Sequence, residues 1–138
     1  MGTPKITIYE GKSGVNSLLM RNLDDKPSEV LVFGEHIDDK DHIPEYTDRR
    51  IKMAVPTRII IPDSEFAKKT KRADKLAYRK TNLIAKNYKF PASIHIYDQS
   101  VAIFTYNGED PVGVYIENAD ISTSMKMIYE LMEKSIKK

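Results

Sequence analysis

Two short apolar runs constrain this chain more than anything else in it. "EVLVFGE", residues 29–35, and "TRIIIPD", residues 57–63, are nearly unbroken in branched and aromatic side chains and too short for helices. A strand exposed on one face alternates apolar with polar residues, so a continuous run marks a strand buried on both faces. Such strands need helices on each side of the sheet. "KSGVNSLLMRNLDD" places Val15, Leu18, Leu19 and Leu23 at helical spacing, with Ser13 as N-cap. "PEYTDRRIKMA" reads as a second helix with Pro44 in its first turn. "DSEFAKKTKRADKLAYRK" reads as a third, capped by Asp63 and basic on its outer face. From Asp120 to Ile136, Ile121, Met125, Ile128, Met132 and Ile136 form one stripe of a closing amphipathic helix.

The remaining segments read as strands and turns. "KITIYEG" alternates Ile6 and Ile8 against Thr7 and Tyr9 and ends at Gly11. "NLIAKNYKF" is expected to be extended or weakly paired. "SIHIYDQSVAIFTY" makes two strands around a tight Asp98-Gln99-Ser100 turn, "NGEDP" carries an Asn-Gly turn signal, and "VGVYIE" is a further strand. Together these predict an α/β fold: a mixed β-sheet flanked by helices, with a β-meander and a closing helix at the C-terminal end.

The chain has 138 residues, enough for one domain, with 41% apolar and 30% charged residues, the balance of a globular protein. No run approaches the roughly 20 apolar residues of a membrane span, and no signal-peptide core follows Met1, so a cytoplasmic location is expected. Without cysteine there are no disulfides, thiolate metal sites or cysteine nucleophiles. Residues 1–3, "MGT", read as an expression scar ahead of a single domain spanning 4–138. Net charge is only +2, yet "EHIDDKDHIPEYTD" is mostly acidic and "KKTKRADKLAYRK" mostly basic.

Several residues invite a chemical reading. His95 and Asp98 sit three apart, but alternate residues of a strand face opposite ways. His95 should therefore lie with Tyr97, while Asp98 accepts backbone N–H groups at the turn, and the two make a poor base and orienter. The acidic loop offers His36, Asp38, Asp39, Asp41, His42 and Asp48, in irregular spacing that favours a solvated loop over a metal site. Because ligands in open α/β sheets lie beyond strand C-termini, Glu35 and His36, just after Gly34, are candidate pocket walls. "EGKSG" resembles the end of a phosphate loop, but Ile6 stands where the upstream glycine belongs, which leaves Glu10 and Lys12 as candidates for a small polar contact. Arg49, Arg50 and Arg58 complete the candidate set. Arg58 lies among isoleucines and must find either a structural carboxylate or an anionic or polyhydroxylated ligand. The basic segment from Lys68 to Lys80, with Tyr78 for stacking, is a candidate nucleic-acid contact.

Taken in order, "PKITIYEGKSGVNSLL", "RRIKMAVPTRIIIPDS", "FPASIHIYDQSVAIFTY" and "VGVYIENADISTSMKMIYELM" resemble the C-terminal regulatory domain of TrmB-like transcription regulators. The resemblance covers the chain from Pro4 onward and implies one half of a phospholipase D-like fold. It implies an effector-sensing domain, working as a homodimer, whose DNA contact is made by an N-terminal helix-turn-helix that this chain does not contain. The effector it implies is a small molecule, a sugar in the best-known members, with no cofactor and no metal. Phospholipase D-type enzymes carry His-x-Lys, four further residues, then Asp. With Asp98 in the aspartate's place, the histidine and lysine positions fall on Pro91 and Ser93. The resemblance thus implies a domain that binds without hydrolysing, with a small dimeric phosphodiesterase or a nucleic-acid-binding module as the alternatives.

Overall fold

A computed structural model describes residues 5–34, 44–106 and 108–136. A seven-stranded mixed sheet runs through the molecule in the order β1-β7-β6-β5-β2-β3-β4. The strands are β1 (Ile6–Glu10), β2 (Val30–Gly34), β3 (Thr57–Pro62), β4 (Arg79–Ile84), β5 (Ser93–Ile96), β6 (Val101–Phe104) and β7 (Val112–Ile116). The helices are α1 (Gly11–Asp24), α2 (Pro44–Lys52), α3 (Glu65–Arg72) and α4 (Ala119–Ile136). β2, β3 and β4 pair in parallel, as strands joined by helical crossovers must. β5, β6 and β7 form the expected meander, and β1 pairs antiparallel with β7 at the far edge. The mixed sheet and its helical flanks match the expectation from sequence.

Side-chain alternation divides the core in two. On one face α1 lays Val15, Leu18 and Leu19 against Tyr97, Ala102, Phe104 and Tyr115. Gly113 permits this approach: a Cβ there would stand 2.6 Å from Leu18 Cδ2. On the other face α4 lays Tyr129 over Leu31, Phe33, Ile60, Ile96 and Val101. β2 and β3 are covered on both sides, as their unbroken apolar runs require. Gly34 has φ +125°, and a Cβ there would lie 2.3 Å from the Ala92 carbonyl oxygen, so the crossing of β2 and β5 depends on its bare backbone.

Four local expectations need correction. The N-cap of α1 is Glu10 and not Ser13, which falls inside the first turn. α3 is capped by Ser64, whose Oγ accepts from Ala67 N–H at 2.9 Å, and not by Asp63. α3 also stops at Arg72 instead of running through Lys80, because Asp74 turns the chain: its carboxylate takes Thr81 N–H, the Thr81 hydroxyl and the Arg79 guanidinium. Arg79–Ile84 can then form β4, an edge strand paired with β3 along its length, which takes in Asn82–Ile84 of the segment expected to be extended or weakly paired. In α4 the inward residues are Ser122, Tyr129 and Glu133, with Met125, Met132 and Ile136 beside them, while Ile121 and Ile128 are exposed. The aromatic ring of Tyr129 and the ion pair of Glu133 set this rotation.

One consequence concerns half of the sheet. Ile6 and Ile8 of β1 alternate as expected, but they point to the α4 side, where α4 does not reach, and are 60% and 64% exposed. Ile103 and Val112 share that face and are exposed too. α4 continues the surface. Glu133 reaches toward β3 and β4, whereas Ile121 and Ile128 stand about a quarter-turn from Tyr129 on the opposite flank, and Leu131 beyond them is 65% exposed. A bare apolar half-sheet therefore adjoins an apolar helix shoulder.

Candidate functional site

Glu35 and His36, and the acidic loop from which a metal site was considered, lie outside the described residues except for Asp48, which begins the last turn of α2. Among the described residues no group of three or more His, Cys, Asp or Glu side chains could hold a metal. The other candidates do not converge. Glu10 is exposed at the start of α1, and Lys12 Nζ lies 5.4 Å from the centre of the Tyr106 ring. Gly11 N–H, which an anion at this helix start would need, is taken by the Pro111 carbonyl at 2.8 Å. Arg49 pairs with Asp24. Arg50 is buried and donates to the carbonyls of Val55, at 2.9 Å, and Tyr78, at 3.3 Å, and burial lowers its pKa. Arg58 finds structural carboxylates: Nε donates to Glu29 and Nη1 to Glu133, each at 2.8 Å, and the Glu29 bond holds its pKa up. Each of these three arginines makes structural contacts within the fold.

His95 behaves as its strand position dictates. It lies alongside Tyr97 on the face of the sheet that carries α1 and α2, its ring 4.9 Å from that of Phe104 and 6.4 Å from that of Tyr46, and is buried. Burial, aided by the charge of Arg50, pulls its pKa down to about 3, so the imidazole is neutral. Its Nδ1 lies 3.2 Å from the Tyr97 hydroxyl, which accepts from Asn22 Nδ2 at 2.5 Å and thus has its own proton for the histidine. Asp98 points elsewhere. Its carboxylate takes Ser28 N–H at 2.9 Å and the Ser28 hydroxyl at 2.7 Å, so it ties the β5–β6 turn to the loop before β2 and not to its own turn. No base-and-orienter pair forms.

A different site appears at the opposite end of the sheet from the one favoured by sequence, beyond the N-terminus of β2. There a cavity of about 440 Å³ lies between the end of α1, the β5–β6 turn and the end of β7. Asn22 and Tyr97 form its floor, and Asp25, Asp98, Ser100, Tyr115 and Glu117 stand around it. The Tyr115 hydroxyl lies 2.9 Å from Ser100 Oγ and 3.3 Å from Asp25, which orders that wall. Arg21 Cζ sits 4.6 Å above the Tyr115 ring and pairs with Glu117 at 3.2 Å, closing the back of the same wall. Sequence reading passed over this group. One signal was present: Asn22 interrupts the buried stripe of Leu18, Leu19 and Leu23, where an amide must have a partner to be tolerated.

No protein-family model and no curated protein matches the chain. Solved structures do. TrmBL2, an archaeal chromatin protein whose structure is described as showing a novel mode of DNA binding, superposes with a TM-score of 0.70 at 14% identity, covering 96% of this chain. This chain spans about half, 51%, of the length of TrmBL2. NucT from Helicobacter pylori superposes at 0.71 and 13% identity over 94% of this chain and 97% of its own. Nuc from Salmonella typhimurium, a phospholipase D family member, gives 0.65 at 14% identity over 93% of each chain. The seven-stranded sheet with its helical flanks is the phospholipase D-like fold, shared with half of TrmBL2 and with nearly the whole of the two Nuc proteins.

Proposed function

We propose that this chain is a non-catalytic effector-sensing and dimerisation domain of a TrmB-like transcription regulator. The observation that carries this reading is the fate of the hairpin histidine. His95 is packed in the core with a pKa of about 3, and with Asp98 taken as the motif aspartate the resemblance puts Pro91 and Ser93 at the positions of the attacking imidazole and the phosphate-binding ammonium. A nucleophile must reach its substrate, and the base that assists it must sit within hydrogen-bond range. The bare half-sheet and the shoulder of α4 support pairing with a second copy. A two-fold axis would lay each shoulder on the other copy's Ile6 and Ile8, so that one surface serves both partners. An effector that favours one pairing arrangement would re-space two attached helix-turn-helix segments, since dimeric readers need half-sites at a fixed separation. Coupling of this kind is typically about 1–3 kcal/mol.

The test is hydrolysis of bis(4-nitrophenyl) phosphate by the purified protein. No release of nitrophenol above buffer is expected. Turnover that copurifies with the protein and is lost in His95→Ala would overturn the reading in favour of a phosphodiesterase. A nucleic-acid-binding module is a second reading, favoured by the exposed Lys68, Lys69, Lys71, Arg72 and Lys75 beside an exposed Tyr78.

A further inference from the structure

β1 closes one edge of the sheet, and on its side away from β7 no strand lies beside it among the described residues. Which main-chain groups point there follows from two bonds. Glu117 N–H donates to the Lys5 carbonyl and Gly11 N–H to the Pro111 carbonyl, each at 2.8 Å. Residues 5, 7, 9 and 11 therefore turn their main chain toward β7, and in an antiparallel ladder the residues between them turn theirs outward. The N–H and C=O of Ile6 and Ile8 line the open edge, with the N–H of Glu10. Sheet edges are usually blunted by proline, a bulge or an inward-pointing charge. β1 has no proline, its register with β7 runs unbroken from Ile6 to Glu10, and its one charge is at its last residue.

We infer that this edge is a strand-addition site whose occupant is β1 of a second copy, antiparallel about a two-fold axis, with Ile6 opposite the partner's Ile8 and Thr7 opposite the partner's Thr7. The strand is its own complement in this register. Outward groups meet only outward groups, so every outward N–H and C=O of Ile6 and Ile8 finds a main-chain partner. On the bare face the isoleucines, 60% and 64% exposed, cover one another across the junction, and a threonine pair forms on the other face. A slide of two residues would set Ile6 against the partner's Glu10 instead. The contact is made by the main chain at the edge and is additional to the side-chain pairing through the shoulder of α4. A single strand pair is marginal in water, so it fills only well above micromolar concentration.

The test is amide hydrogen exchange, followed by NMR on the full chain at 20 µM and at 1 mM. The amides of Ile6 and Ile8 should exchange about threefold more slowly at the higher concentration, while those of Thr7 and Tyr9, already bonded to β7, keep their rates. Ile6→Pro removes only an outward N–H, which an edge strand tolerates, and should abolish the slowing at Ile8 with the rest of the spectrum unchanged. Leu131→Asp, at an exposed position on the shoulder of α4, should keep the slowing, so failure of the face pairing and failure of the edge contact are read separately. The proposal is overturned by unchanged, fast exchange of Ile6 and Ile8 at 1 mM in the wild type. Equal protection at both concentrations would mean that the chain itself covers this edge, and would overturn it too. So would slowing spread evenly over residues 6–9, which would assign the contact to the face, or slowing at Ile8 that survives in Ile6→Pro.

Discussion

His95 is wedged between Phe104 and Tyr97 and stays neutral, because its charged form would be stripped of water in the core. In an unfolded chain the same imidazole titrates near 6.5. Between that pH and about 3 the unfolded state binds the extra proton, so stability falls as pH falls through this window. Urea unfolding between pH 7.5 and 4 should therefore show a steeper loss for the wild type than for His95→Leu. Parallel pH profiles would contradict the burial of this residue. Gly34 makes a second prediction at this scale. Gly34→Ala must force a side chain into φ +125° and against the Ala92 carbonyl, and should cost about 2–3 kcal/mol in the same assay. Little of this was legible in the sequence. Alternation placed His95 beside Tyr97 correctly, but its surroundings also come from distant elements: Tyr46 of α2, whose ring lies 6.4 Å away, and Phe104 of β6. Arg58 was readable as a cation in need of a carboxylate; that Glu133 supplies one across 75 residues was not.

At the scale of elements, α4 is held in rotation by a few polar contacts within an apolar interface, the ion pair of Glu133 with Arg58 and the bond from Ser122 Oγ to the Tyr97 carbonyl among them. Arg58 and Glu133 are mostly shielded, and removing the guanidinium leaves a carboxylate with 9% exposure to bear its charge alone. Arg58→Met should cost about 3 kcal/mol, and Glu133→Leu added to it should recover much of that loss, since an apolar pair restores a consistent core. Additive losses would mean the two do not act as a pair. Elements with a strong period were foreseen: β2 and β3 from their unbroken runs, α1 from four apolar positions that are all buried. The boundary of α3 was not, because its residues are good helix formers throughout and only the tertiary bonds of Asp74 end it. The α4 stripe was misjudged for a related reason: hydropathy favoured Ile121 and Ile128 over the aromatic Tyr129 and over Glu133, whose carboxylate is matched only by Arg58 and Asn82 from distant strands. The exposed cations along α3 make their own prediction. If they bind nucleic acid, affinity for random duplex should fall steeply with salt, and the regulatory reading expects no binding by this chain even at 20 mM salt.

On the scale of the whole molecule, a sheet that buries one half on both faces and leaves the other half bare on one side is unfinished. Exposed apolar surface of this extent marks an interaction site more often than an accident. The bare half lies at the β1 edge, beside the shoulder of α4. The candidate cavity itself escaped sequence reading because its members come from α1, the β5–β6 turn and the end of β7, which only the antiparallel closure of β1 on β7 brings together. The rule that favours strand C-termini pointed to the other end of the sheet.

The central claim is that this fold is retained for pairing and sensing, and sedimentation equilibrium tests it most directly. Against a chain mass of 15.8 kDa, the wild type should sediment as twice that mass at micromolar concentration. Ile8→Asp and Leu131→Asp, both at exposed positions, should each give a folded monomer. A wild type that remains monomeric at 100 µM, or charge variants that pair as well as it does, would contradict the account.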